Sequence, residues 1–391
     1  MTVEVLSLGC RLNLSESEEL RGLLAASDDL VVVNSCAVTS EAVRQTRQAI
    51  RRARQRRPDA RLIVTGCAAE VERAMLCAMP EVDGLVANTA KLDPRAWNAP
   101  PAAPASASHR HTRGFVQVQN GCDHACTFCV IPQGRGPSRS RGTGQVLEEV
   151  ARQIDQGVAE VVLTGVDLTS WGADLPGAPR LGALAQAILA AFPALPRLRL
   201  SSIDGAEVDP ALFELLAGEA RVMPHLHLSL QSGDDLILKR MKRRHSAHEV
   251  IDLVERLRAR RADLAVGADL IAGFPTETDE MHEGSLTMIA ELDVVHGHIF
   301  PFSPRPGTPA GRMPAVGSAT IKARAAELRA AVARRRERWL AAQIGKPLRV
   351  LAERGGTGHA ENFAPVRLPD GARPGSVIVV TPERIVEGML A

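Results

Sequence analysis

Residues 120–136 read NGCDHACTFCVIPQGRG, with Cys122, Cys126 and Cys129 in CxxxCxxC spacing. Three thiolates on one short loop suit a cubane iron–sulfur cluster and leave its fourth iron without a protein ligand. A four-cysteine ferredoxin site closes every iron and only moves electrons. An open iron can take a small molecule, such as the amino and carboxylate groups of S-adenosyl-L-methionine. The competing readings are a structural zinc site or unpaired core thiols. Zinc ordinarily takes a fourth protein ligand from a second Cys or His pair, and His124 is constrained by its neighbours inside the loop.

The loop follows GFVQVQ (114–119), and five further strand-like runs recur beyond it with helical stretches between them: 160–164, 197–202, 225–230, 266–271 and 295–300. This alternation predicts parallel strands wrapped into a partial (β/α)6 barrel, with function at the carboxyl ends of the strands. Gly165-Val166-Asp167, Ser201-Ser202, Gln231-Ser232, Gly273-Phe274-Pro275 and the segment PFSPRPGTPA all fall at such ends. Together they sketch the rim of one cavity.

Ahead of the loop, VEVLSLGC, LVVVNSC and ARLIVTGC are short Val/Leu/Ile runs that each lead into a helical stretch. They predict a small parallel α/β sheet with right-handed crossovers. Cys10, Cys36 and Cys67 then sit at strand carboxyl ends along one sheet edge, where they can converge on a second three-cysteine cluster. A single strand-end Cys more often acts as a small buried hydrophobe. Cys77, in the apolar run ERAMLCAMP, lacks that placement and is expected in the core.

The expected fold class is α/β, organised as an N-terminal iron–sulfur domain (1–97), a Pro/Ala/Ser-rich linker (98–112), the barrel domain (113–343) and a C-terminal small β-barrel (344–391). The Ala/Arg-rich stretch 318–343 reads as a helix. Seven cysteines in a chain of 391 residues argue against a disulfide framework. No run approaches the roughly 20 apolar residues of a membrane span. The start, MTVEVLSLGC, reads as a strand and not as a basic leader, so a cytoplasmic protein is expected. Net charge is only +2, yet residues 44–61 carry eight arginines against one acid, Asp59. That helix is either a solvated face or an electrostatic footprint for a phosphate backbone.

With both cysteine sets placed, the sequence resembles the radical S-adenosylmethionine methylthiotransferases over essentially its whole length. Within that family LGCRLNLSESE, VNSCAVTSEAVRQTR, NGCDHACTFCVIPQGRGPSRSR and HLHLSLQSGDDLILKRMKRRHS are most similar to the branch acting on N6-threonylcarbamoyladenosine 37 of tRNA. The isopentenyladenosine branch typically has a Thr/Tyr-Arg-Gly-rich stretch where this chain has Gln133-Gly134-Arg135-Gly136. The resemblance implies two [4Fe–4S] clusters. The one on Cys122, Cys126 and Cys129 would cleave S-adenosyl-L-methionine reductively. The one on Cys10, Cys36 and Cys67 would carry the sulfur to be inserted. It also implies a TRAM-like C-terminal barrel, contact with the tRNA anticodon arm, and a reductant such as flavodoxin or ferredoxin; the sulfur source is not implied. Asp167 is a candidate acceptor for the cofactor's ammonium group or a loop cap. Arg243 is a candidate partner for the cofactor's carboxylate or an RNA phosphate, and Ser202 and Gln231 are candidate cavity lining. Phe302 and Phe363 stand where relatives carry Tyr, keeping stacking and losing a phenolic hydrogen bond. The competing functions are the same reaction on isopentenyladenosine or on a ribosomal-protein aspartate, and a non-catalytic iron–sulfur protein.

Overall fold

The computed structural model describes residues 3–98 and 112–391; most of the expected linker lies outside the described residues. The chain forms two compact units. One combines the N-terminal residues with Asn120–Arg139 and Ser303–Arg312, and the other takes the barrel strands and the C-terminal residues.

In the first unit β1 (Glu4–Ser7), α1 (Arg11–Leu23), β2 (Leu30–Ser35), α2 (Ser40–Arg56), β3 (Arg61–Gly66), α3 (Cys67–Val71) and β4 (Gly84–Leu85) build a four-stranded sheet in the order β1-β2-β3-β4. Every pairing is parallel, as the repeated strand–helix pattern predicts. Helices cover both faces of such a sheet, so its strands are apolar at successive positions, and all six residues of β2 are buried. Helix α2 turns Val43, Thr46, Ile50 and Ala53 inward at helical spacing, and the Thr39 hydroxyl caps it by accepting from the Ala42 N–H at 3.1 Å. Cys77 is a correction to the core expectation: it ends the short helix Arg73–Cys77 and is exposed, while the neighbouring Leu76 takes the buried position.

In the second unit the six expected strands are present as β5 (Gly114–Gln117), β6 (Glu160–Thr164), β7 (Arg197–Leu200), β8 (His225–Gln231), β9 (Ala265–Ala272) and β10 (Val294–Pro301). They pair in parallel as β5-β6-β7, and as Ser202–Ile203 followed by β8-β9-β10. Alternation with period two sends Leu226, Leu228 and Leu230 into the core shared with the helices, and His225 and His227 to the opposite face. The Ala/Arg-rich stretch is the helix Ser318–Ala341. Its Val332 packs so closely that a Cβ at Gly297 would lie 2.6 Å from the Val332 side chain.

The C-terminal residues form a six-stranded, mainly antiparallel sheet around Val350, Ala352, Ala360, Val366 and Leu390. Glu160 is completely buried where this sheet meets the barrel, 2.7 Å from Arg113, 2.8 Å from Arg199 and 3.3 Å from Arg197. Arg197 also donates to the Arg349 carbonyl at 2.6 Å and Arg199 to the Glu361 carbonyl at 3.1 Å. Burial opposes ionisation of Glu160, but the three guanidiniums hold its carboxyl far below the ordinary range. Phe363 stacks on His359 at 4.5 Å with the Arg199 guanidinium 4.9 Å from its ring centroid, so the phenyl ring fills its place without a hydroxyl.

Candidate active site

The cysteine loop leaves β5 and folds with the N-terminal sheet. Gly121 and Gly136, both with φ near +74°, turn its two ends. A Cβ on Gly121 would lie 1.9 Å from the Pro137 carbonyl oxygen, so only glycine fits there. Cys122 N–H donates to the Gly136 carbonyl at 3.2 Å, closing the loop. The His124 amide points at Cys122 Sγ and the Ile131 amide at Cys129 Sγ, each at 3.4 Å. Amides aimed at sulfur favour the thiolate form that binds iron. Val130 is buried in the N-terminal core, and the Ala310 N–H donates to the Thr127 carbonyl at 2.9 Å, so PFSPRPGTPA braces the same loop. Arg305 in that segment is itself buried and paired with Glu72 at 2.6 Å.

The second triplet lies at the carboxyl edge of β1–β3. Cys10 precedes α1, Cys36 follows β2 and Cys67 opens α3. Gly9, with φ +92°, lets the chain pass Cys36 closely, since a Cβ there would lie 2.7 Å from Cys36 Sγ. Burial pushes the Cys36 thiol up to about 11, and the neighbouring Cys67 and Cys10 add to the rise. Burial likewise raises the Cys67 thiol, against the opposing charge of Arg135. Three soft thiol donors placed this close together are suited to sharing a cationic iron–sulfur core.

The residues around this triplet were not apparent from local sequence pattern. The short helix α4 (Ile131–Arg135), immediately after Cys129, brings Arg135 into the N-terminal unit. Arg135 is almost fully buried and donates to Glu16 at 2.8 and 3.0 Å, to Asn120 at 2.8 Å and to Asn13. Lys91 reaches the other side of Glu16 at 2.6 Å, and Asn34 lies 3.2 Å from the same ammonium. Burial works against the Glu16 carboxylate, yet Lys91 and Arg135 hold it below the ordinary carboxylate range. A Cβ on Gly134 would sit 3.2 Å from Cys67 Cβ, and Asn88 ties the Gly134 carbonyl at 2.5 Å. One loop therefore carries the CxxxCxxC motif and walls the second triplet.

The remaining candidates lie in the second unit. Asp167 opens the turn after β6: its N–H donates to Gln119 Oε1 at 2.9 Å and its carboxylate accepts from Ser170 Oγ at 2.6 Å, the capping alternative. Ser202 begins the two-residue strand beside β8. Gln231 ends β8 with φ +71°, an uncommon conformation for a non-glycine residue. Arg243 donates to Asp204 at 2.8 Å and to the Ser229 carbonyl at 2.9 Å, with His245 also on Asp204 at 3.3 Å.

The arginine-rich stretch 44–61 is a correction to the single-helix expectation, since α2 ends at Arg56 and Arg61 opens β3, and acids distant in sequence enter its charge count. Arg54 pairs with Asp83 and Arg56 with Glu4, both at 2.6 Å, while Arg57 pairs with Asp29 and Arg44 with Glu41. Arg51 approaches Glu81 at 3.6 Å. Among the described residues Arg47, Arg52 and Arg61 make no ion pair, so the charge left for a partner is smaller than the sequence count. No described helix is long and apolar enough to cross a membrane.

Residues 116–289 match the Radical SAM superfamily, and residues 2–87 match the uncharacterized protein family UPF0004. The chain is 44% identical to the threonylcarbamoyladenosine tRNA methylthiotransferase MtaB of Rickettsia prowazekii, across 99% of this chain and 96% of the relative. It is 32% identical to a tRNA-2-methylthio-N(6)-dimethylallyladenosine synthase of Cereibacter sphaeroides, across 95% and 93%. Among solved structures, the radical S-adenosylmethionine methyltransferase TsrM of Kitasatospora setae superimposes with a TM-score of 0.56 at 17% identity, covering 76% of this chain and 68% of that one, which bears on the fold. The α/β fold class expected from the sequence is borne out, as are its cofactors, S-adenosyl-L-methionine and [4Fe–4S] clusters. The donor chemistry described above fits such clusters. The chain belongs to the tRNA methylthiotransferases of the radical S-adenosylmethionine superfamily.

Proposed function

We propose that the protein inserts a methylthio group at C2 of N6-threonylcarbamoyladenosine 37 in tRNA. The observation that carries this reading is the 44% identity, over nearly the full length of both chains, to a relative named for that base, against 32% to the dimethylallyladenosine synthase. Cys122, Cys126 and Cys129 are assigned as ligands of the cluster that activates S-adenosyl-L-methionine, and Cys10, Cys36 and Cys67 as ligands of the second cluster. The chemistry these groups supply when bound is one-electron cleavage of S-adenosyl-L-methionine at the loop and sulfur donation at the sheet edge.

The chain's own residues prepare both places. Amides of His124 and Ile131 favour the thiolates of the loop, and Arg135 holds a fixed positive charge beside the second triplet. Asp167 is assigned to the cofactor's ammonium group and Ser202 and Gln231 to the cavity wall, with Arg243 held by Asp204 at the end of the same strands. The adenine C2–H is neither acidic nor a leaving group, so no general base is required of the protein. The anticodon arm of a cytoplasmic tRNA is the macromolecular partner, and a flavodoxin or ferredoxin supplies the electron.

Nucleoside analysis of tRNA from a strain lacking the protein tests the reading. Loss of the methylthio group from threonylcarbamoyladenosine alone is the expected result. Its loss from isopentenyladenosine, or from a ribosomal-protein aspartate, would replace the substrate. Reduced, cluster-loaded protein that leaves S-adenosyl-L-methionine uncleaved would point to a non-catalytic iron–sulfur protein.

A further inference from the structure

On the inner face of the barrel, His227 of β8, Asp269 of β9 and His298 of β10 form a cluster that the chemistry above leaves unused. Asp269 is in direct register with His298, and one carboxylate oxygen, Oδ1, accepts from His227 Nε2 at 3.1 Å and from His298 Nδ1 at 3.0 Å. The two imidazole rings lie 4.7 Å apart. Room for His227 comes from Gly267, its register partner, where a Cβ would stand 2.4 Å from His227 Nδ1.

Exposure rises across the cluster, from 8% for the His227 side chain through 20% for Asp269 to 62% for His298. A buried carboxylate satisfied by His227 would be enough for packing. The second histidine is oriented by Asp269 through Nδ1, and its remaining ring nitrogen, Nε2, is the edge left for a ligand. Two residues further along the same face of β10, the Phe300 ring is 37% exposed and meets the His298 ring edge-on at 6.4 Å. A hydrogen-bonding edge next to an open aromatic ring, on the strands of the radical barrel, suits a base with a polar substituent.

We propose that His298, oriented by Asp269, is a specificity-determining residue that donates through Nε2 to the carboxylate of the base's N6-threonylcarbamoyl group, with Phe300 offering the base a ring face. The inference rests on the substrate reading above and deepens it. Burial opposes the Asp269 charge, but the hydrogen bonds from His227 and His298 hold its carboxyl well below the ordinary carboxylate range. A dimethylallyl group is a hydrocarbon and would leave this pair desolvated without a partner. Sites built to hydrogen-bond a substrate group reject an analogue lacking it much more strongly than apolar pockets tell hydrocarbons apart.

The test compares cluster-loaded wild type, His298→Ala, His298→Gln and Asp269→Asn on two tRNAs, one bearing threonylcarbamoyladenosine and one bearing isopentenyladenosine. Iron content and circular dichroism check the fold. His298→Ala is expected to raise KM for the first tRNA and to lower the ratio of kcat/KM between the two tRNAs at least tenfold. His298→Gln, which keeps a donor, is expected to fall between. A wild-type preference for threonylcarbamoyladenosine that survives both His298 variants overturns the proposal and leaves the substrate reading intact. Wild-type action on isopentenyladenosine alone overturns both. Stoichiometric zinc or iron retained by protein with all six cluster cysteines changed to alanine, and lost with His298→Ala, would make the cluster a metal site and overturn the proposal too.

Discussion

Glu16→Gln probes the buried charge network beside the second cysteine triplet. The Glu16 side chain is completely buried and neutralises two cations, Lys91 at 2.6 Å and Arg135 at 2.8 and 3.0 Å. Bare Coulomb arithmetic overstates such contacts, because the charges give up hydration to enter the interior. The relevant quantity is the cost of leaving partners unpaired, about 3–5 kcal/mol when one member of a buried pair is removed. Lys91 can shed its proton, and burial already lowers its pKa against the pull of Glu16, which places the loss toward the lower part of that range. Arg135 cannot shed its proton and would stay cationic among Asn13 and Asn120. A loss of about 3 kcal/mol lowers Tm of a domain of this size by roughly 10 °C. The assay is anaerobic thermal unfolding of the full chain, with iron per chain measured in parallel. Adding Lys91→Met to Glu16→Gln removes one of the stranded cations and is expected to recover part of the loss. A Tm for Glu16→Gln within 1–2 °C of wild type, or a double variant less stable than the sum of its singles, would refute the pairing argument.

The same network predicts an electronic effect. With Cys122, Cys126 and Cys129 changed to alanine, Arg135→Gln is expected to make the reduction potential of the remaining cluster more negative and Arg135→Lys to hold it near wild type, as read by redox-titrated electron paramagnetic resonance. Gly121→Ala meets both a left-handed backbone, about 1–2 kcal/mol for a non-glycine residue, and a clash with the Pro137 carbonyl; iron analysis should show loss of the loop cluster. Glu16 and Asp204 both have carboxyls held below their ordinary values, so their stabilisation is present above the ordinary carboxylate range and is lost as pH falls through the folded-state pKa; Tm should hold from pH 7 to about 5 and fall below about 4. Reversing Arg47 and Arg52 to Glu should weaken tRNA binding and flatten its dependence on salt, whereas unchanged binding would mark α2 as a solvated face.

Local pattern carries the parts of this molecule that local physics determines. A parallel strand buried on both faces must be apolar along its length, which is why VEVLS, LVVVNS and RLIVTG announce the N-terminal sheet and set Cys10, Cys36 and Cys67 at its edge. The six barrel strands were legible for the same reason. Pairings across long stretches of chain leave no such trace. Nothing near Arg135 indicates that its carboxylate is Glu16, 119 residues earlier, and nothing near α2 shows that Glu4, Asp29, Glu81 and Asp83 neutralise its arginines. Cys77 departs from the core expectation because the continuous apolar run Ala74-Met75-Leu76-Cys77 does not show which side of the helix is buried, and Leu76 takes that position. The histidine cluster was half visible, since the alternations HLHLSL and HGHIF put His227 and His298 each on one face of a strand. Only the parallel register of β8, β9 and β10 brings Asp269 between them, and it is that register which turns two scattered histidines into an oriented hydrogen-bonding edge.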